Sequence, residues 1–285
     1  MIYDAAIIGT GPAGLSAAIN LTQLGKSIVW FGSAQFSHKV EKSELIANYP
    51  GIPYVTGPEL NAHFRSHVEK MALPITDKMV TNIMPMGDRF MLLAENDMFE
   101  AKTLLLATGV NATKGFQGES ELLGRGVSYC ATCDGFLYRG KTIAVYCGAK
   151  RFEHEIAYLA GMAEKVYLYA GYRDCDLTLP NVERLPMPIR TVKGQSKVDG
   201  IILSDGSEYA VDGLFCLRNA VAPTTLLPGI ELDGAHIVVD RQLRTNIPGC
   251  FAAGDCTGLP YQLAKAVGEG NVAAHSMVEY MAQQA

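Results

Sequence analysis

Apolar positions in this chain form two alternating kinds of run. YDAAII near the start is continuously apolar over a strand's length. PAGLSAAINLTQLG carries its apolar residues at helical spacing and stops at Gly25, and SIVWFG is again continuous. These three segments predict a βαβ unit, hence a parallel sheet. GPELNAHFRSHVEKM predicts a further helix, the stretch from Val80 to Phe99 a β-meander, and TLLLATG another strand. From about Thr113 the alternation restarts. KTIAV, a helix over 153–163 and KVYLYAG predict a second, shorter βαβ unit, followed by strands at DGIILS and GLFCL. The tail holds GCFAAGD and a long helix from about Tyr261 to the end, and it continues the first pattern rather than the second. The expected fold class is α/β, with two Rossmann-like (βαβ) domains and the second inserted into the first. Residues 1–112 and 243–285 would form the outer domain and residues 113–242 the inserted one.

Bulk properties narrow the function. With 285 residues, 48% hydrophobic and 19% charged, the chain has material for one large or two modest cores. Its 29 glycines exceed the usual proportion, which suits several close backbone–ligand contacts. A net charge of −5 argues against a nucleic-acid partner. No apolar run reaches the roughly 18 residues needed to span a bilayer, and the N-terminus enters a strand at once. A soluble, cytoplasmic protein without a signal peptide is expected. Seven cysteines, mostly solitary in apolar segments, do not make a disulfide scaffold.

The first βα turn reads GTGPAG, with Gly9, Gly11 and Gly14 between strand and helix. Gly9 permits the tight turn, Gly11 lets the backbone approach a pyrophosphate, and Gly14 lets helix and strand pack closely, with the helix N-terminus facing the phosphates. In this context the motif points to dinucleotide binding. The acidic residue that ordinarily ends the second strand and holds a ribose is missing, since the strand ends WFGSAQ. In FAAGDCT, Asp255 follows a strand and is placed to meet a ribityl or phosphate hydroxyl, or else it caps a turn. The helix N-terminus near Gln262 suits negative charge on a reduced flavin ring.

GVSYCATCDG supplies Cys130 and Cys133, two residues apart, with Asp134 next to them. That spacing suits an easily reversed disulfide. A structural zinc would require two more ligands, and no second such pair exists, which leaves redox chemistry or an inert thiol pair. Asp134 can exchange a proton with a thiolate, or serve as the turn residue before Gly135.

With these pieces together, the sequence resembles the low-molecular-weight thioredoxin reductases over essentially its whole length. The matching segments are GTGPAG at 9–14, NYPG at 48–51, LLLATG at 104–109, GRGVSYCATCDGFLYRGK at 124–141 and the tail IPGCFAAGDCTGLPYQLAKAVGEG. The resemblance implies a homodimeric FAD protein. It implies FAD contacts at Gly9, Gly11, Pro12, Ala13 and Gly14, at Lys39, Asn48 and Val80, at Thr108 and Gly109, and at Gly254, Asp255, Gln262 and Leu263. It also implies that Cys130 attacks the partner disulfide, that Cys133 lies against the flavin and that Asp134 is the acid.

The departures from that family are informative. Its second glycine loop binds NADPH, and those glycines align with Cys147, Ala149 and Phe152 in VYCGAKRFEHE. Side chains there crowd a pyrophosphate and push helix from strand. The family's His-Arg-Arg segment for the 2′-phosphate appears as AGYRDC, with Arg173 its only cation, and CLRNAVAPT replaces a glycine-containing segment. In the outer domain Gly-Gly-Gln-Leu appears as SHKV at 37–40, and an Arg before Gln262 appears as Tyr261. The pattern resembles the ferredoxin-dependent flavin thioredoxin reductases, with ferredoxin as electron donor and thioredoxin as substrate. A pyridine-nucleotide reductase with an unusual loop, an FAD-dependent dithiol oxidase and a non-catalytic flavin-binding module are the competing readings.

Other residues fit quieter roles. His63 and His67, at i and i+4, suggest a surface pair rather than a metal site. Lys26, Lys39 and Lys42 either attract an acidic ferredoxin or belong to a solvated loop, and Lys150 and Arg151 are surface charges or part of a partner footprint. Cys147, Cys175, Cys216, Cys250 and Cys256 suit small buried apolar sites.

Overall fold

A computed structural model describes residues 1–41, 43–109, 115–119, 121–129, 131–218 and 222–284, with His38 and Cys133 described in their backbone only. The chain divides into two compact units, Met1–Ala112 with Leu226–Ala285, and Thr113–Thr225. The return to the outer unit comes earlier than residue 243, the position expected from sequence.

In the outer unit, β1 (Ile2–Ile8), α1 (Pro12–Gln23) and β2 (Ile28–Phe31) form the first βαβ unit. A short helix α2 (His38–Glu41) and a longer one, α3 (Gly57–Lys70), follow. A capping box opens α3, with the Thr56 side chain accepting from the Glu59 N–H and the Glu59 carboxylate accepting from the Thr56 N–H. The meander comprises β3 (Val80–Pro85), β4 (Phe90–Ala94) and β5 (Asp97–Leu106). TLLLATG is not a separate strand but the second half of β5. Its first half pairs antiparallel with β4 and its second half parallel with β1, Leu104 opposite Ala6. One strand thus joins a meander to a parallel layer, which short-range periodicity cannot distinguish from two strands.

The inserted unit holds β6 (Val127–Ser128), α4 (Ala131–Asp134), β7 (Thr142–Cys147), α5 (Glu153–Ala160), β8 (Lys165–Ala170) and β9 (Val182–Arg184). A three-stranded antiparallel sheet follows, β10 (Ile189–Lys193), β11 (Gly200–Leu203) and β12 (Glu208–Ala210). Next comes β13 (Gly213–Leu217). The parallel sheet runs β6-β13-β7-β8-β9. Its interior is continuous apolar side chains such as Ile143, Val145, Phe215 and Leu168, sealed by Ile156 and Leu159 of α5. α5 stops at Gly161, short of the expected residue 163.

After α6 (Pro223–Leu226), the chain forms the hairpin β14 (Leu232–Asp233) and β15 (His236–Ile237), then β16 (Cys250–Ala252) and α7 (Leu263–Gln283). β16 lies on β5, with Phe251 opposite Leu105. α7 packs on α1 through small residues, and a Cβ on Gly270 would stand 2.1 Å from the Ala13 carbonyl. The surrounding core includes Trp30, Leu21, Phe251 and Met277, all fully or almost fully buried. Among the described residues, no helix is long and apolar enough to cross a membrane.

Candidate functional site

The glycine loop leaves β1 at Gly9, whose N–H bonds to the Phe31 carbonyl at 2.8 Å and whose φ of 115° excludes ordinary side chains. A Cβ there would lie 2.3 Å from the Ala107 carbonyl, and one on Gly14 1.9 Å from the Gly9 carbonyl. These two glycines are required by the fold itself. Gly11 differs, because a Cβ on it meets nothing within 4 Å. It caps α1 without a side-chain bond, and Pro12 begins the helix. Open space beside Gly11 and a first turn without a side-chain cap are what an anion site requires. The Trp30 indole anchors the loop by donating to the Gly9 carbonyl at 2.9 Å. Sequence reasoning did not single out Trp30.

Several expected cofactor residues gather around this loop. Gly254, with φ 91°, ends β16 beside Ala13, where an added Cβ would come within 3.0 Å of the Ala13 methyl. Thr108 and Gly109 end β5, and the Thr108 hydroxyl is buried without a hydrogen-bond partner. A buried hydroxyl left unpaired calls for a ligand. Asp255 opens the short 3₁₀ turn after Gly254 and accepts from Lys39 Nζ at 3.2 Å. Lys39 also lies 5.6 Å from the Tyr261 ring centre, and the Tyr261 hydroxyl is 2.6 Å from His236 Nε2. Asn48 Nδ2 donates to Gln262 Oε1 at 2.8 Å, which ties the NYPG loop to the N-terminal end of α7, where Gln262 is the cap and Leu263 the first helical residue. Val80 begins β3 and is buried, making no hydrogen bond to the others. The segment just before it, at Thr76, brackets the end of β2 through the Trp30 carbonyl and the Gly32 N–H. Lys265 and Glu269, also not anticipated, hold the Gly254 backbone from α7 at 2.9 and 2.8 Å. A glycine pattern cannot reveal partners that lie on a distant helix.

In the inserted unit, β6 leads into the redox motif. Cys130 lies outside the described residues, and Cys133 is described only as a backbone position within α4. Asp134 ends α4, and its carboxylate accepts from the Ser128 hydroxyl at 2.6 Å. Burial, then the charges of Asp134 and Asp212, push the Tyr138 hydroxyl above its ordinary value, which keeps it protonated. Phe136 and Leu137, immediately beyond the motif, are 58% and 52% exposed. Two adjacent large apolar side chains open to water are suited to meeting a protein partner.

The second glycine loop is filled from within. Cys147 ends β7, fully buried, and its thiol bonds the Ala149 carbonyl at 3.3 Å. Lys150–Phe152 form a 3₁₀ turn, so α5 starts only at Glu153. Phe152 packs partly buried against the core of this unit. Tyr146 stacks on Tyr169 at 6.3 Å and meets Phe116 edge-on at 5.3 Å. The guanidinium of Arg218 lies 5.0 Å from the Phe116 ring and 5.1 Å from that of Tyr146. Arg218 pairs with buried Glu119 at 2.8 Å, and Glu119 also accepts from the Tyr129 hydroxyl at 2.7 Å and the Phe116 N–H at 2.8 Å. Arg218 belongs to CLRNAVAPT, the segment that departs from the resembled pattern. Its partner Glu119 lies 99 residues away along the chain, beyond the reach of any local motif. Arg173 is exposed.

The other cysteines are free and buried. Burial pushes the thiols of Cys147 and Cys256 up to about 11 and that of Cys250 to about 12. No group of three or more metal-ligating side chains occurs among the described residues.

The model of the pyridine nucleotide-disulphide oxidoreductase family matches residues 3–152 and 184–270. A thioredoxin reductase from Helicobacter pylori is 34% identical over 309 aligned positions, covering 98% of this chain and 99% of the relative. The chain belongs to the thioredoxin reductase family. A ferredoxin-flavin thioredoxin reductase from Clostridium acetobutylicum is 43% identical with a TM-score of 0.92, covering 100% of this chain and 99% of the other. An atypical thioredoxin reductase from Desulfovibrio vulgaris Hildenborough is 31% identical with a TM-score of 0.65, covering 98% of each chain. Thioredoxin reductases bind FAD, and the residues here fit it. The space beside Gly11, the uncapped first turn of α1 and the orphaned Thr108 hydroxyl are what a dinucleotide's phosphates and hydroxyls would satisfy.

Proposed function

We propose that the protein is a homodimeric, cytoplasmic FAD enzyme that reduces thioredoxin with electrons from reduced ferredoxin, through Cys130, Cys133 and Asp134. The observation that carries this reading is the contrast between the two glycine loops. One leaves space beside Gly11, whereas the other is occupied by Cys147 and bordered by the Tyr146–Arg218–Phe116 cluster. A nicotinamide dinucleotide has no comparable cradle, so the electrons must come from a carrier that docks on the surface.

Gly11, the α1 N-terminus and Thr108 would hold the FAD, with Lys39, Asp255 and Gln262 at the mouth of the site. Held there, FAD would supply one-electron uptake from an iron–sulfur donor and two-electron delivery to a disulfide. The Cys130–Cys133 disulfide is reduced by that electron pair. The Cys130 thiolate then attacks thioredoxin's disulfide, forming one S–S bond and releasing one thioredoxin thiolate, which takes a proton. Cys133 attacks Cys130 in turn, restoring the enzyme disulfide and freeing the second thiolate. Asp134 exchanges the proton at this dithiol. In sum, two reduced ferredoxins and two protons convert one thioredoxin disulfide to a dithiol. Plant-type ferredoxins lie about 130 mV below thioredoxin, so the transfer is downhill by about 6 kcal/mol per electron pair.

The test is an anaerobic flavin titration of the purified holoenzyme with NADPH, NADH and then reduced ferredoxin. Bleaching by ferredoxin alone, reversed by oxidised thioredoxin, is the expected result. Bleaching by micromolar NADPH or NADH refutes the ferredoxin assignment.

A further inference from the structure

The turn after β16 carries Gly254 and Asp255, yet its own bonds do little to fix them. β16 ends at Ala252 and α7 starts at Leu263, and Asp255–Thr257 between them form one 3₁₀ turn of 3 residues. Backbone bonds of 3.1 and 3.2 Å close it, and buried Cys256 anchors its middle. So short a turn does not sustain its own shape. Its two ends are held by charged side chains of α7. Lys265 Nζ donates to the Gly254 carbonyl at 2.9 Å, the Gly258 carbonyl at 2.8 Å and the Thr257 hydroxyl oxygen at 3.0 Å. Glu269 Oε2 accepts from the Gly254 N–H at 2.8 Å and from the Thr257 hydroxyl at 2.9 Å. The two side chains stand one helical turn apart, 3.2 Å from each other, and are only 18% and 21% exposed. The turn is thus tied to one face of a helix of 21 residues. That helix is itself seated on α1, where Gly270 lies against the Ala13 carbonyl. The clamp therefore places Gly254 beside the Ala13 methyl, next to the open space at Gly11.

We infer that Lys265 and Glu269 are positioning residues for the cofactor: they hold the Gly254–Gly258 turn, before FAD arrives, in the shape in which Gly254 and Asp255 receive it. This rests on the assignment of Gly254 and Asp255 to the FAD site. Without the clamp the turn must be ordered during binding, so only molecules with the turn in place are competent. Loss of charge-assisted bonds of this kind lowers that competent fraction to about one in ten to one in a hundred. The penalty falls on association, because dissociation starts from a filled site whose contacts to the cofactor are unchanged.

The experiment strips FAD from the full-length protein and follows its rebinding by stopped-flow flavin fluorescence. It compares wild type, Lys265→Met, Glu269→Ala, Glu269→Gln, the Lys265→Met/Glu269→Ala double variant and Asp255→Ala. Circular dichroism of each apoprotein checks folding, and Lys265→Met, which keeps the apolar stem of the side chain, carries the test if Glu269→Ala does not fold. Lys265→Met and Glu269→Ala are expected to slow association about tenfold to a hundredfold while dissociation stays within about twofold of wild type. Glu269→Gln keeps an acceptor for the Gly254 N–H and should restore most of the rate. The double variant should fall no further than the slower single one, because both side chains act on one turn. Wild-type association in Lys265→Met and Glu269→Ala, or a loss confined to dissociation, overturns the inference while leaving Asp255 in the FAD site. Unchanged FAD affinity in Asp255→Ala sinks the assignment of the turn to the cofactor first, and the clamp's role with it.

Discussion

Arg218→Met probes the buried cluster of Arg218, Glu119, Phe116 and Tyr146. The Arg218 and Glu119 side chains are only 6% and 3% exposed, so the pair is effectively out of water. Removing the cation leaves a buried carboxylate whose remaining donors are the Tyr129 hydroxyl and the Phe116 N–H. Breaking such a pair costs about 3–5 kcal/mol. The two surviving hydrogen bonds hold the cost near the lower figure, while loss of the cation over two rings adds roughly 0.5–2 kcal/mol. The expected destabilisation is thus about 3.5–5 kcal/mol. At about 2–4 °C per kcal/mol for a chain approaching this size, the melting point falls by about 7–20 °C. Glu119→Gln/Arg218→Met removes both charges and should recover much of the loss, with a coupling of at least about 2 kcal/mol. Thermal unfolding by circular dichroism, with flavin release recorded separately, measures Arg218→Met, Glu119→Gln and the double variant. A shift under about 2 °C for Arg218→Met, or strictly additive losses, would refute a buried, charge-paired cluster. None of these variants should gain NADPH oxidation, because Cys147 and Phe152 still fill the loop.

Gly11→Ala should lower flavin content with little change in the melting point of the apoprotein, since its methyl enters only the open space beside α1. Gly14→Ala should destabilise the apoprotein by at least about 1–3 kcal/mol, because its methyl overlaps the Gly9 carbonyl; equal effects would show that the space beside Gly11 is not the cofactor's. Phe136→Ser should raise KM for thioredoxin about tenfold while leaving turnover of a small disulfide unchanged, and an unaltered KM would place docking elsewhere. The raised thiols of Cys147, Cys250 and Cys256 stabilise the fold fully below their unfolded value near 9 and lose that contribution as pH rises through about 11 to 12. Melting temperature should therefore decline through that window, and less so in Cys250→Ala; a flat profile would mean these thiols are not shielded from solvent.

Local signals in the sequence carried most of the element types, the first glycine loop and the side chains that replace glycine in the second. Each depends on the period of apolar residues or on a short motif whose backbone demands are met within about 20 residues. The junction inside β5 was not legible, because continuous apolar residues suit a strand whether its neighbours run parallel or antiparallel. Nor was the return of the chain to the outer unit, which depends on what the β14–β15 hairpin packs against rather than on its composition. The same limit applies to the side chains that complete the sites. Trp30 reaches back to Gly9, Glu269 and Lys265 grip Gly254, Ser128 holds Asp134 and Glu119 pairs with Arg218. Each contact requires two segments to be folded against each other, and the burial that makes Glu119–Arg218 energetically significant does not exist in the unfolded chain. The motifs of the sequence determined that one loop keeps its glycines and that the other carries side chains at Cys147, Ala149 and Phe152. Only tertiary packing decided that Tyr146, Phe116 and a buried ion pair lie at the edge of the second.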